Sequence, residues 1–166
     1  MGIVLVGGIS FAGPAAASES DCVDPVASSR AIDLPGLKPD TLVSVEQCLE
    51  LQGATVQASS SLVWQILDDV VQDRGKRFTS FKVTNRLETR LAPGEVPRSV
   101  TTKTCDFTAQ LNAAWSNSVA IECAAPAAAY NSEQSWASGA TVVYDLEGDG
   151  KGAVTWEIAS APLIRG

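Results

Sequence analysis

No histidine occurs anywhere in the 166 residues, and there is a single methionine. The missing imidazole removes the commonest general base, the Ser-His and Cys-His nucleophile pairs and most zinc sites. No Cys-x-x-Cys spacing is present, which argues against redox catalysis and structural zinc, and no Ser-x-x-Lys spacing is present either. The adjacent carboxylates Asp68 and Asp69 read as a solvated pair. These absences lead us to expect a protein that is not an enzyme, with no cofactor and no metal. Excess positive charge is missing too. A formal net charge of -7 speaks against nucleic acid as a partner, since neutralising phosphates needs a basic surface.

Long apolar runs are also scarce. The one near the start, Gly2 to Gly13, is too short to cross a bilayer comfortably. Pro14 and Ala15-Ala16-Ala17 follow it, placing small residues where a signal peptidase needs them, although no Lys or Arg precedes the run. We read residues 1–17 as a signal peptide and expect a secreted, extracellular protein without a stable membrane span after processing. The competing reading of this run is a buried first strand or a membrane-packing segment. The Ala- and Val-rich composition is similar to that of exported bacterial proteins of high-GC genomes, a likeness of composition alone.

What the chain does have is four cysteines, all beyond the signal: Cys22, Cys48, Cys105 and Cys123. An even number in an exported chain reads as two disulfides, and three connectivities are formally open. Pairing of sequence neighbours favours Cys22–Cys48 and Cys105–Cys123, each contributing about 3 kcal/mol in the chain-entropy model.

Residues 18–40 contain Pro25, Pro35, Gly36 and Pro39 with little periodicity, which suggests an extended N-terminal arm held by Cys22. Residues 41–166 then read as a single disulfide-stapled β-rich domain. From Leu42 to Leu51, Val43, Val45, Leu49 and Leu51 alternate with Ser44, Glu46, Cys48 and Glu50, the pattern of a half-buried strand. Ser59 to Gly75 places Gln65, Asp68, Asp69, Gln72 and Asp73 at helical spacing, so we expect a helix ending at Gly75, with a strand running into a turn as the alternative. Period two returns from Phe78 to Leu91. Val96 to Leu111 reads as a long strand whose Pro97 suggests a start at a sheet edge; a polar turn, Ser116-Asn117-Ser118, follows, and then Val119, Ile121 and Cys123 on one face. Ala124 to Ala129 reads as a linker. Ala140 to Leu146 and Ala153 to Ala159 read as strands joined by Glu147-Gly148-Asp149-Gly150-Lys151-Gly152, the clearest hairpin signal. The expected fold is mainly β, an antiparallel sheet or β-sandwich with one packed α-helix; the alternative is α+β.

Functional signals are fewer. Asp145, Glu147, Asp149 and Gly150 resemble the start of a calcium loop, but Trp156 stands where the last ligand belongs, so we read a hairpin turn. Charge is uneven: Arg74 to Lys103 holds eight of the twelve cations against two acids, a local +6, leaving -13 elsewhere. Lys82, Arg86 and Arg90 fall on one strand face, a stripe able to dock an acidic protein or an anionic surface polymer. The plainer reading pairs that stripe with Glu46 and Glu50 across the sheet. Trp64 and Trp156 lie in periodic runs and read as core, whereas Trp115 and Trp136 lie near loops and join the candidate binding residues. The sequence therefore points to a secreted, non-enzymatic binding or adaptor protein docking on another extracellular protein or cell-surface polymer. Alternatives are a self-associating structural subunit of a surface assembly or filament, or a protease inhibitor presenting Asn112 to Ser118.

Overall fold

The computed structural model describes residues 18–67, 73–91, 95–116, 120–161 and 164–165. The export signal over 1–17, the Asp68-Asp69 pair, the turn at Pro93-Gly94 and most of the Ser116-Asn117-Ser118 turn lie outside these residues. Among those described, eleven strands form two antiparallel sheets, with one short α-helix.

The first sheet is ordered β1 (Ser18–Val23), β3 (Thr41–Gln52), β4 (Thr55–Ile66), β7 (Ile121–Ala124). Beside β3 lies β2 (Ser29–Ile32), and beside β4 lies β8 (Ala128–Ala129). The second sheet is ordered β10 (Val154–Ile158), β9 (Ser135–Leu146), β5 (Phe78–Arg90), β6 (Arg98–Asp106), with β11 (Ile164–Arg165) beside β9. Alternation dictates the layering, because every second residue of a strand faces the same way. Val43, Val45 and Leu49 of β3 and Val56, Leu62 and Trp64 of β4 meet Phe81, Val83 and Leu87 of β5 and Val142 and Tyr144 of β9, all buried. The result is a β-sandwich.

A hydrogen-bonded chain crosses between the sheets. Ser60 donates its hydroxyl to Gln47 Oε1 (2.7 Å), Gln47 Nε2 donates to Asn85 Oδ1 (2.9 Å), and Asn85 Nδ2 donates to the carbonyls of Ala58 and Cys123. Gln47 and Asn85 are wholly buried. The chain separates a larger apolar cluster around Phe81 from a smaller one around Leu87 and Trp136. A shift of either strand by one residue would turn these amides outward and leave buried carbonyls unmet, so they fix register.

Both favoured disulfides form. Cys22 and Cys48 sit opposite each other on β1 and β3, while Cys105–Cys123 joins β6 of one sheet to β7 of the other. The two runs flanking the polar turn are therefore not a hairpin, since their strands belong to different sheets. The 18–40 segment is more regular than an arm: β1 and β2 both pair with β3, and Arg30 reaches the rings of Tyr144 (6.0 Å) and Trp156 (5.8 Å) on the opposite sheet.

The expected helix from Ser59 to Gly75 is overturned through Ile66, which is all β4. Its polar positions were the basis for helical spacing, but most fall beyond the strand. Within it, Val56, Ala58, Ser60, Leu62 and Trp64 alternate inward, and twelve residue pairs with β3 follow from the tight turn at Gly53, whose φ is +60°. Gly75 does not adopt positive φ and caps no helix.

The helix that does form, α1 (Thr108–Ala113), occupies the tail of the run read as a strand. Its inward residue Leu111 is buried, and Asn112 holds it to β5, accepting from the Arg77 and Phe78 N–H groups and donating to the Phe78 carbonyl. Arg77 is fully buried, and its guanidinium donates to the carbonyls of Leu111 and Ala114 at the helix C-terminus and to Thr41 Oγ1 (3.0 Å). Burial pulls its pKa down to about 10, and the partial negative charge of the helix end stands in for a carboxylate partner. At the other end of β5, Leu91, expected on the apolar face, is 62% exposed beyond a bulge between Leu87 and Glu88. The 124–129 linker is partly strand, through Ala124 of β7 and Ala128–Ala129 of β8.

Candidate functional site

The residues singled out in sequence do not assemble into one site. Trp136 is only 3% exposed and donates its indole N–H to the Asn131 carbonyl (2.9 Å), so it is core rather than a docking aromatic. Trp115 is half-buried and covers the Arg77 guanidinium at 4.9 Å. Together with Asn112 it ties down the start of the 112–118 loop, of which residues 117–118 lie outside the described residues.

Lys82 and Arg86 do share the outer face of the second sheet, but they face acids there. Arg86 pairs with Glu88 (3.0 Å) and Glu157 (3.6 Å) and donates to Thr141 Oγ1, which itself donates to Glu157. Gly139 makes room for this network: a Cβ there would come within 3.1 Å of the Glu88 carboxylate. Lys82 stands opposite Asp106, whose pKa is held down chiefly by hydrogen bonds from Thr108 and also by the Lys82 charge. Arg90 is half-buried at the strand end. Glu46 and Glu50, the expected counter-charges, lie on the other sheet, on the far side of the sandwich.

That far side carries a different arrangement. On the outer face of the first sheet, Glu46 stands opposite Ser61 and Ser61 opposite Glu122, so two carboxylates flank a serine in one row across three strands. In the next row along, Cys48, Ser59 and Ala124 are neighbours, and beyond them stand Glu50 and Gln57. Because β4 offers only small serines between the longer side chains of β3 and β7, its surface is the floor of a trough of about 260 Å³. Glu46, Cys48, Glu50, Ala120, Ile121 and Glu122 form its walls. A second hollow of about 210 Å³ lined by Leu42, Ser44, Val63, Trp64 and Gln65 continues along the same two strands.

Among the described residues neither Glu46 nor Glu122 has an ion pair or hydrogen bond, and Glu50 meets only the Gln52 amide at 3.2 Å. Ser59 is 7% exposed, its side chain lines the trough, and its hydroxyl has no partner among the described residues. Glu46 also lies within 4.8 Å of the sulfurs of Cys22 and Cys48, but their disulfide leaves no thiolate to ligate a metal.

Sequence reasoning placed Glu46 and Glu50 correctly on the polar side of their strand but treated that side as a source of partners for the cations. It missed Ser59, Ser61 and Glu122 as a unit. Serines at outward positions beside inward Ala58 and Leu62 were the available signal, and the helical reading of Ser59 to Gly75 obscured it.

No protein family, curated protein or solved structure matches this chain. The two disulfides point to an oxidising compartment, and no helix among the described residues is long and apolar enough to cross a membrane.

Proposed function

We propose that this is a secreted, non-enzymatic binding module that docks on another extracellular protein through the outer face of its first sheet. The observation that carries the reading is the trough with three carboxylates that meet no cation among the described residues. Like charges gathered on a rigid sheet destabilise the free protein slightly and favour an oppositely charged partner. The crossed disulfide and the buried amide chain support the reading by holding that face in one geometry, which limits what docking costs in ordering.

Assembly through open sheet edges is less well supported. The β6 edge begins after Pro97, carries Lys103 and is bulged at Val100, while β1 carries Glu19 and Asp21. Proline, edge charges and bulges are devices that discourage strand addition.

The test is capture from native culture fluid and cell envelope, using the full chain with its disulfides oxidised. The variant E46K/E50K/E122K is expected to lose the captured partner, and K82E/R86E/R90E to keep it. Capture that survives the first variant would overturn the assignment of the face, and release of the partner by glycan digestion would point to a surface polymer instead.

A further inference from the structure

We infer that the occupant of the trough is an extended segment of a partner protein carrying one apolar and two cationic side chains at fixed spacing, a refinement that rests on the docking face proposed above. Three observations lead there. The carboxylates are spread out. At about 3.4 Å per residue Glu46 and Glu50 stand ~13 Å apart along β3, and Glu46 and Glu122 are two strand spacings apart, about 9–10 Å. A single metal ion with oxygen ligands at about 2.3–2.6 Å cannot join them, whereas long cationic side chains can. Next, Ser59, a residue only 7% exposed, places an unpartnered hydroxyl on the floor between the two acidic rows, where a ligand would satisfy it. Finally, the adjoining hollow along the same strands presents the apolar side chains of Leu42 and Val63, the latter 37% exposed, beside Ser44 and Gln65.

These positions define a pattern. In an extended chain laid along β3 and β4, side chains on one side recur every second residue. An apolar residue seated between Leu42 and Val63 puts the residue two positions on beside the Glu46–Ser61–Glu122 row. A small polar residue then falls over Ser59, and the residue four positions beyond the first cation reaches Glu50. A second copy of this chain is a poor source of such a segment, because Arg86 is already paired and Lys82 faces Asp106.

The experiment is titration of the full, oxidised chain with a synthetic peptide of about nine residues. It carries valine, then arginine two positions later and a second arginine four beyond that, on a serine and threonine background. A peptide of the same composition with the arginines adjacent is the control. The ordered peptide is expected to bind about tenfold tighter than the control. That preference should disappear at 1 M salt, where the screening length falls to about 3 Å. It should also be lost in E46Q/E122Q, and in S59L, which fills the floor without changing charge. Amide shifts should fall on β3, β4 and β7. Equal binding of both peptides, or shifts on the second sheet, would overturn the inference. If neither peptide binds while E46K/E50K/E122K still abolishes capture, the segment is wrong and the docking face stands; if capture also survives that variant, both fall.

Discussion

The two outer faces of the sandwich treat their charge in opposite ways. On the second sheet Arg86 lies between Glu88 and Glu157, Thr84 meets Thr104 at 2.9 Å, and Lys82 faces Asp106. Charge there is spent within the protein. On the first sheet Glu46, Glu50 and Glu122 surround serines and, among the described residues, no cation. A face whose charges are internally matched contributes to stability and offers little to a partner. A face left unmatched contributes little to stability and gains when something else supplies the opposite sign. The cationic stripe that stands out in the sequence is the matched face, and the acidic side that looks ordinary is the unmatched one.

The contrast holds only while the sheets keep their register, so the largest expected effect lies between them. Asn85→Ala would strand the Gln47 Nε2 donor in the core and take one hydrogen bond each from the carbonyls of Cys123 and of Ala58, the latter still accepting from the Ala125 N–H (2.9 Å). At about 1–3 kcal/mol for the unmet Gln47 donor and about 1 kcal/mol for each of the other two lost hydrogen bonds, the loss should be about 4 kcal/mol in chemical denaturation. A loss under about 1 kcal/mol would mean that the amide chain does not fix the register. Arg77→Ala comes next, at about 3 kcal/mol, since it leaves two helix-end carbonyls unmet. It should also uncover Trp115 and shift tryptophan emission to the red.

The outer faces are compared directly by a smaller pair of measurements. Arg86→Ala should cost about 1–2 kcal/mol, because Glu88 is only 13% exposed and would lose its counter-ion. The pairing with Glu157 adds little, since that carboxylate is 64% exposed. Glu46→Ala and Glu122→Ala should each change stability by less than about 0.5 kcal/mol, or raise it slightly. Equal losses on both faces would erase the distinction between them.

How much of this was readable in advance depended on the kind of signal. Strict alternation placed β3 and β5 and put Val43, Val45 and Leu49 inside, because one buried face leaves a period of two, while the glycine-rich hairpin loop marked β10 and the second half of β9. Sequence proximity gave both disulfides. Ser59 to Gly75 misled because Leu62, Val63, Ile66 and Leu67 fit one side of a helix, while Leu62, Trp64 and Ile66 fit a strand over the same short span. Only pairing with β3 decides between them, and that is a long-range contact. The site suffered in the same way. Clustering of Lys82, Arg86 and Arg90 is local and visible, whereas Glu157, which partly neutralises it, lies seventy-one residues from Arg86, on another strand. Glu122 is likewise far from Glu46 in sequence and two strands away in space. Unmatched charge depends on every neighbour in three dimensions, so local composition revealed the cations but not which of them were already paired.

The smallest effect concerns pH and sharpens the same contrast. Asp106, on the matched face, accepts from both the N–H (3.0 Å) and the hydroxyl (2.6 Å) of Thr108 at the start of α1, and its pKa lies below the ordinary carboxylate value. A carboxylate with a depressed pKa in the folded protein binds fewer protons than in the unfolded chain, so its contribution is present above the unfolded value of 3.8 and is lost as pH falls through the folded one. Thermal unfolding followed from neutral pH into that acid range should therefore show a slightly shallower decline for Asp106→Asn than for the parent chain, with the two curves differing most near neutrality. Because the group is exposed, screening should shrink the difference in high salt but not abolish it, since the Thr108 hydrogen bonds carry more of the shift than the Lys82 charge does. Identical slopes for the two proteins would show that Asp106 is no better satisfied than the carboxylates across the sandwich.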